Sequence, residues 1–102
     1  MSPEQLIENI YILRFNSGIK LTEAFTFLTK REQRIVINTI KHRLRNSRRN
    51  YKRTKRHRMA LIYNEWLNTL GELAPKLSMR YKYIELQGTV NGPLANEVKS
   101  DK

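Results

Sequence analysis

Lysine and arginine concentrate in one part of the chain. Ten of the eighteen residues at positions 41–58 are basic and none is acidic, and we call these positions the basic segment. Its cationic residues are Lys41, Arg43, Arg45, Arg48, Arg49, Lys52, Arg53, Lys55, Arg56 and Arg58. The whole chain carries 20 basic and 9 acidic residues, so without these ten the balance is nearly neutral. Like charges at this density repel one another, which predicts a polyanionic partner.

Nucleic acid is the first candidate for that partner, because phosphate contacts release counterions and supply most non-specific affinity. Arginine can fork onto phosphate oxygens, and lysine acts as a point charge. Asn46 and Asn50 could contact base edges, since side-chain amides do this in DNA grooves. We expect DNA rather than RNA, although arginine-rich helices also bind RNA. If roughly six of the charges touch phosphate, the salt slope should be near −5.

Residues suited to catalysis are sparse, so we expect no enzymatic activity, no metal site and no cofactor. His42 and His57 lie among cations rather than beside a carboxylate partner. The acidic residues are scattered, without the spacing of paired carboxylates or of metal ligands. The chain has no cysteine and no glycine-rich phosphate loop.

The elements that must position the basic segment are predicted to be helices. We expect a small all-α domain of three or four helices over residues 1–75 and a C-terminal extension, partly flexible, over residues 76–102. Ser2 and Pro3 are suited to begin a first helix, and Gly18 to end it in a left-handed conformation. A short second helix is predicted over residues 22–28. Thr29 and Glu32 have the spacing of a capping box that starts a third.

The basic segment is amphipathic if it is helical. Eight of its ten cations fall within an arc of about 160° on a helical wheel, with Arg43 and Arg58 outside that arc. The opposite side carries Val36, Ile37, Ile40, Leu44 and Tyr51. No Pro or Gly occurs between Thr29 and Leu70, which permits one long helix. Polar residues at positions 46–50 weaken a helix interior, and we expect a bend or break there.

A second apolar stripe follows the basic segment at helical spacing. It comprises Met59, Ile62, Trp66, Leu70 and Leu73. Its helix should end at Gly71 or at Ala74-Pro75. The predicted core is Leu6, Ile10, Leu13, Phe25, Ile37, Ile40, Leu44, Ile62, Trp66 and Leu70. Trp66 is the best single candidate for an interface anchor, and so short a chain suits a homodimer.

The C-terminal extension has a different pattern. Residues 79–86, MRYKYIEL, alternate in part as a single short strand would, with a helix or an irregular arm as the alternatives. Residues 87–102 contain Asn91-Gly92-Pro93, a turn signal, and we expect them to form a flexible tail.

Residues 12–28, which read ILRFNSGIKLTEAFTFL, are similar to the opening of phage-repressor-type helix-turn-helix domains. The similarity rests on Leu13-Arg14, Ser17-Gly18-Ile19 and Leu21-Thr22-Glu23-Ala24, and it covers under a fifth of the chain. It implies that the helix after Thr29 is a recognition helix beginning Lys30-Arg31-Glu32-Gln33-Arg34. The short glycine-containing turn usual between the two reading helices is missing.

Taken together, the sequence favours a small DNA-binding protein of phage or viral type with a regulatory or architectural role. The alternatives are an arginine-rich RNA-binding protein, and an adaptor or inhibitor that docks on an acidic surface of the transcription or replication machinery. No apolar run approaches the roughly 18 residues of a membrane span, and the first residues lack a signal-peptide pattern. We therefore expect no membrane partner and an intracellular location, in the cytoplasm or nucleoid, or in the host cell if the protein is viral.

Overall fold

The structure, a computed structural model, describes residues 1–86 of the 102-residue chain. These residues form helices α1 Pro3–Ser17, α2 Leu21–Thr26, α3 Lys30–Thr54, α4 His57–Leu73 and the single turn α5 Pro75–Ser78. Residues 1–86 contain no β-strand, so the all-α prediction is confirmed, and of the alternatives given for 79–86 the irregular arm is observed and the strand is not. The predicted tail at 87–102 lies outside the described residues.

The predicted starts of α1 and α3 are confirmed, whereas the helix predicted over 22–28 is observed at Leu21–Thr26. The Ser2 hydroxyl accepts from the Gln5 backbone N–H at 3.1 Å, and the Gln5 side chain accepts from the Ser2 N–H at 3.1 Å. Thr29 and Glu32 form the same reciprocal pair, with distances of 3.1 and 2.9 Å. These bonds satisfy backbone donors that lack partners in the first turn of a helix. Gly18 ends α1 with φ of 68°, as predicted.

Helix α3 runs without a break from Lys30 to Thr54, so a break at 46–50, one of the two predicted alternatives, is wrong. Ser47 is only 5% exposed, and its hydroxyl donates to the Arg43 carbonyl oxygen at 2.7 Å. The hydroxyl is thereby satisfied within the helix, and the small side chain fits the buried face. The helix ends instead at Lys55, which is left-handed with φ of 59° and donates its backbone N–H to the Tyr51 carbonyl at 2.7 Å.

The connection between α3 and α4 consists of Lys55 and Arg56 alone, and the two helices pack against each other as an antiparallel hairpin. Arg43 lies over the ring of Trp66, whereas Arg48, further along α3, lines a cleft with Tyr63, which comes earlier in α4. Helix α3 is about 37 Å long at 1.5 Å per residue, against a longest molecular dimension of 43 Å. It is therefore the main support for the basic segment.

All four longer helices contribute to one core. Its buried members are Leu6, Ile7 and Ile10 of α1, Leu21 and Ala24 of α2, Val36, Ile40 and Leu44 of α3, and Tyr63, Leu67 and Leu70 of α4. Half of the predicted core residues are buried, namely Leu6, Ile10, Ile40, Leu44 and Leu70. Leu13, Phe25, Ile37 and Trp66 are partly buried against them. The Tyr11 hydroxyl and the Thr69 hydroxyl, 2.7 Å apart, join α1 to α4.

The stripe predicted on α4 is only partly correct. Its buried face centres on Ala60, Tyr63, Leu67 and Leu70, whereas Met59, Ile62 and Trp66 are half-buried. Tyr63, Leu67 and Leu70 of this face belong to the core shared with α1, α2 and α3. Beside it, Asn64 is covered because its side chain pairs with the backbone of Ile84. Helix α4 ends at Leu73, directly before Ala74-Pro75, which was one of the two predicted ends.

Residues 81–86, which follow a turn at 79–80, have no regular secondary structure and are held on α4 by the buried Asn64, whose exposed fraction is 2%. Its side-chain amide donates to the Ile84 carbonyl at 3.0 Å, and its carbonyl accepts from the Ile84 N–H at 2.9 Å. The Tyr83 hydroxyl donates to Asn68, and Leu86 is buried. An amide pairing with both backbone groups of one residue satisfies polar atoms that would otherwise be buried at a cost.

Candidate nucleic-acid interface

The basic segment occupies the C-terminal half of α3, the connection and the first residues of α4. Eight of its ten cations are exposed and two, Lys41 and Arg43, are half-buried. The exposed ones are Arg45, Arg48, Arg49, Lys52, Arg53, Lys55, Arg56 and Arg58. Because α3 is unbroken through 46–50, its cations keep the helical register that places most of them on one face.

Arg43 differs from the other cations because it faces α1 and α4. Its Nη2 donates to Glu4 Oε2 at 3.1 Å, and its guanidinium carbon lies 5.3 Å from the centroid of the Trp66 ring. The helical wheel already placed Arg43 outside the cationic arc, and the ion pair and ring contact give the reason. This arginine serves packing between helices and is less available to a ligand than the eight exposed cations.

Several residues near the end of α3 contact one another. The Lys55 ammonium lies 5.5 Å from the centroid of the Tyr51 ring, and Tyr51 is half-buried. Arg53 donates to the Asn50 side-chain carbonyl at 3.0 Å. Of the two predicted base contacts, Asn46 is exposed, whereas Asn50 is half-buried and already shares its oxygen with Arg53.

Two adjoining clefts run along the basic face of α3, with volumes of about 370 and about 500 Å³. Both are lined by Arg48, Lys52, Tyr63 and Tyr81, so the two clefts adjoin. We call the two together the basic groove. Its other lining residues are Lys41, Leu44, Arg45 and Arg49 in the first cleft, and Tyr51, Lys55, Arg80, Lys82 and Ile84 in the second. None of these lining residues is acidic.

The floor of the basic groove is apolar and aromatic. Leu44 is fully buried and Tyr63 is 2% exposed. Burial raises the pKa of the Tyr63 phenol, and the nearby positive charge of Arg48 opposes that increase. The phenol is therefore neutral at neutral pH. A groove with cationic walls and the half-buried ring of Tyr81 suits a ligand that combines negative charge with flat apolar surface.

The second wall of the groove comes from residues 80–84, which sequence reasoning treated as a strand or an arm. Arg80 and Lys82 are exposed and Tyr81 is half-buried between them. The missed signal is the run Arg80-Tyr81-Lys82-Tyr83, in which cations and aromatics alternate. Interleaved basic and aromatic residues are typical of surfaces that bind single-stranded nucleic acid.

The remaining hypotheses from the sequence concern Trp66 and the helix-turn-helix resemblance. Trp66, the candidate interface anchor, is half-buried beneath Arg43 and packs against the core. The homodimer stays a prediction. Residues 27–29 connect α2 to α3, and the Gln33 side chain donates to the Phe25 and Leu28 carbonyls, each at 3.2 Å. Lys30, Arg31 and Arg34, the basic residues of the implied recognition helix, are exposed. The helix-turn-helix resemblance stays a prediction.

Among residues 1–86, no three His, Asp or Glu side chains come together as metal ligands would. No helix in this range combines the length and the apolar character needed to cross a membrane.

Comparisons of the chain with models of protein families, with curated proteins and with solved structures found no match.

Proposed function

We propose that this protein binds nucleic acid by contacting the phosphate backbone through the basic segment, with DNA as the first candidate. The observation that carries the proposal is the unbroken α3, which holds exposed cations along one face where the sequence has no acid. Backbone contacts of this kind fix position and orientation without reading sequence. Such contacts suit a regulatory or architectural role. Our working hypothesis is that the protein is of phage or viral type.

Electrostatic repulsion within α3 supports this proposal. Lys41 and Arg45, Arg45 and Arg49, Arg48 and Lys52, and Arg49 and Arg53 are like-charge pairs four residues apart on the helix. Each such pair costs a few tenths of a kcal/mol, so the four together cost about 1–2 kcal/mol. An anionic ligand relieves that repulsion, and phosphates spaced along a nucleic-acid strand are matched to cations spaced along a helix.

The proposal is tested by titrating labelled duplex DNA, single-stranded DNA and RNA of equal length with the protein at several salt concentrations. Six phosphate contacts predict a slope of log affinity against log salt of about −5 on duplex and about −4 on single strands. The double variant Arg45→Ala, Arg49→Ala should flatten the duplex slope by about 2. No binding to any of the three near 0.1 M salt would overturn the proposal.

A matched control removes the same charge from the other end of the same helix. Lys30→Ala, Arg31→Ala changes two exposed cations in the first turn of α3 and should leave the slope unchanged. If this control weakens binding and the Arg45/Arg49 variant does not, the contact lies where the helix-turn-helix resemblance implies. If salt and heparin leave binding to an acidic protein partner intact, the adaptor alternative is favoured.

A further inference from the structure

We propose that the basic groove holds a single-stranded segment of nucleic acid, with its phosphates along α3 and Arg80 and Lys82, and an unpaired base stacked on Tyr81. This inference rests on the proposed function and names the form of nucleic acid that the site takes. It also adds residues 80–82 to the interface predicted from the sequence.

The size of the groove favours one strand. Its two clefts, of about 370 and about 500 Å³, are of the volume that encloses small organic ligands. A duplex keeps its bases stacked inside and presents phosphates at its surface, so it can touch the outer cations of α3 but not the groove floor. An unpaired nucleotide carries both the charge that the cationic walls complement and a flat ring that can stack on the half-buried Tyr81.

Tyr81 is the residue best placed to stack on a base. It lines both clefts and is half-buried, so part of its ring faces the groove. Tyr63 is too deeply buried to offer a ring face, and Lys55 already lies over the ring of Tyr51. Arg80 and Lys82 flank Tyr81, so cations are available for the phosphates on either side of a stacked base.

The second wall is fixed before any ligand arrives. Asn64 holds Ile84 by two hydrogen bonds, and Leu86 is buried beyond it. On the other side of Tyr81, the turn of α5 is closed by bonds from Ser78 and Met79 to the carbonyls of Ala74 and Pro75. A groove with both walls held in place binds without the entropic cost of ordering a loop.

The experiment compares an oligo-deoxythymidine, an oligo-uridine and a duplex of equal length as probes for the wild type and for Tyr81→Leu and Tyr81→Phe. Leucine keeps apolar bulk but cannot stack, so Tyr81→Leu should lower single-strand affinity about tenfold. Tyr81→Phe should keep wild-type affinity, and duplex binding should change little in both variants. The two single strands distinguish DNA from RNA as the source of the same chemistry.

Arg80→Ala, Lys82→Ala provides a second test that does not disturb the half-buried ring. It should flatten the single-strand salt slope by about 1.4, whereas the charge-matched control Arg14→Ala, Lys20→Ala should leave the slope unchanged. Circular dichroism melting of every variant shows whether it is folded, and an unfolded Tyr81→Leu protein would leave the test to this pair.

The outcomes separate the two proposals. Loss of single-strand affinity in Tyr81→Leu and in Arg80→Ala, Lys82→Ala, with duplex binding retained, supports the groove. If these variants bind as the wild type does while Arg45→Ala, Arg49→Ala binds weakly, the groove inference is overturned and the proposed function stands. Displacement of the single strand by polyglutamate at equal charge concentration would also overturn the groove inference, because charge alone would then explain binding. Failure to bind every probe overturns both.

Discussion

Replacing Lys55 by glycine should stabilise the fold relative to replacing it by alanine. Lys55 ends α3 in the left-handed region, with φ of 59°, and it is the one non-glycine residue with positive φ among residues 1–86. A side chain in that conformation brings its Cβ close to the backbone carbonyl oxygen, at a cost of about 1–2 kcal/mol. Glycine has no Cβ and is the usual residue at this position after a helix.

The expected difference follows from these terms. Lys55→Ala keeps the strain and loses the ammonium contact with Tyr51, which is worth about 0.5 kcal/mol at an exposed site. Lys55→Gly loses the same contact and relieves the strain. The greater freedom of glycine in the unfolded chain offsets about 0.5–1 kcal/mol of that gain. The free energy of unfolding of the glycine variant should therefore exceed that of the alanine variant by about 1 kcal/mol, and its melting temperature should be higher by about 4–8 °C.

Thermal and urea unfolding of the two variants, monitored by circular dichroism, measures this difference. If α3 instead bent or broke at 46–50 and Lys55 lay inside a helix, the order would reverse. Glycine in a helix interior is about 1 kcal/mol less favourable than alanine. An alanine variant more stable than the glycine variant would therefore refute the placement of the helix end.

Three other predictions follow from named contacts. Arg43→Ala should reduce the free energy of unfolding by about 1 kcal/mol, because it removes the exposed ion pair with Glu4 and the contact with Trp66; the salt slope of nucleic-acid binding should not change, and a flatter slope would place Arg43 in the interface. Asn64→Leu should release residues 79–86 from α4, and amide exchange at Ile84 should then be faster. The affinity for single strands should fall as well. Continued protection of the Ile84 amide would show that apolar contacts are enough to hold the segment. The pKa of Tyr63 is raised in the folded protein, so the unfolded chain loses that phenol's proton at lower pH than the folded chain does. The free energy of unfolding should therefore fall as the pH rises above 10.0, the ordinary tyrosine value. In Tyr63→Phe this decline should be smaller, and an equal decline would assign it to other groups.

Local rules were sufficient to predict where α1 and α3 begin. The Ser2 and Thr29 caps and the Gly18 stop depend on interactions within a few residues, and the structure has each of them. The all-α class and the apolar side of α3 followed from spacing alone. Val36, Ile40 and Leu44, which the helical wheel placed on one side, are fully buried.

Contacts between distant parts of the chain were not predictable in the same way. The end of α3 at Lys55 contradicts residue preference, because lysine is a good helix former and disfavours positive φ. The polar residues at 46–50 suggested a break, but the Ser47 hydroxyl is satisfied by the Arg43 carbonyl. The burial of Asn64 on α4 depends on its pairing with the backbone of Ile84, twenty positions away along the chain.

The candidate interface was predictable as a set of charges but not as a shape. Clustering of cations on α3 follows from helical periodicity, whereas the groove requires Arg80, Tyr81 and Lys82 to lie opposite them. Six of the ten predicted cations line the groove. They are Lys41, Arg45, Arg48, Arg49, Lys52 and Lys55. Arg43 instead contacts Glu4 and Trp66, and no pattern within α3 predicts these contacts.

The central claim is that the basic face of α3 binds nucleic acid through its phosphates. Its most direct test is the salt dependence of affinity for the wild type and for Arg45→Ala, Arg49→Ala, measured on the same duplex and single-stranded probes. Both arginines are exposed, so their removal should leave the fold intact. We predict a steep wild-type slope, about −5 on duplex, and a slope flatter by about 2 in the variant. Equal slopes for the two proteins, or no measurable binding near 0.1 M salt, would contradict the claim.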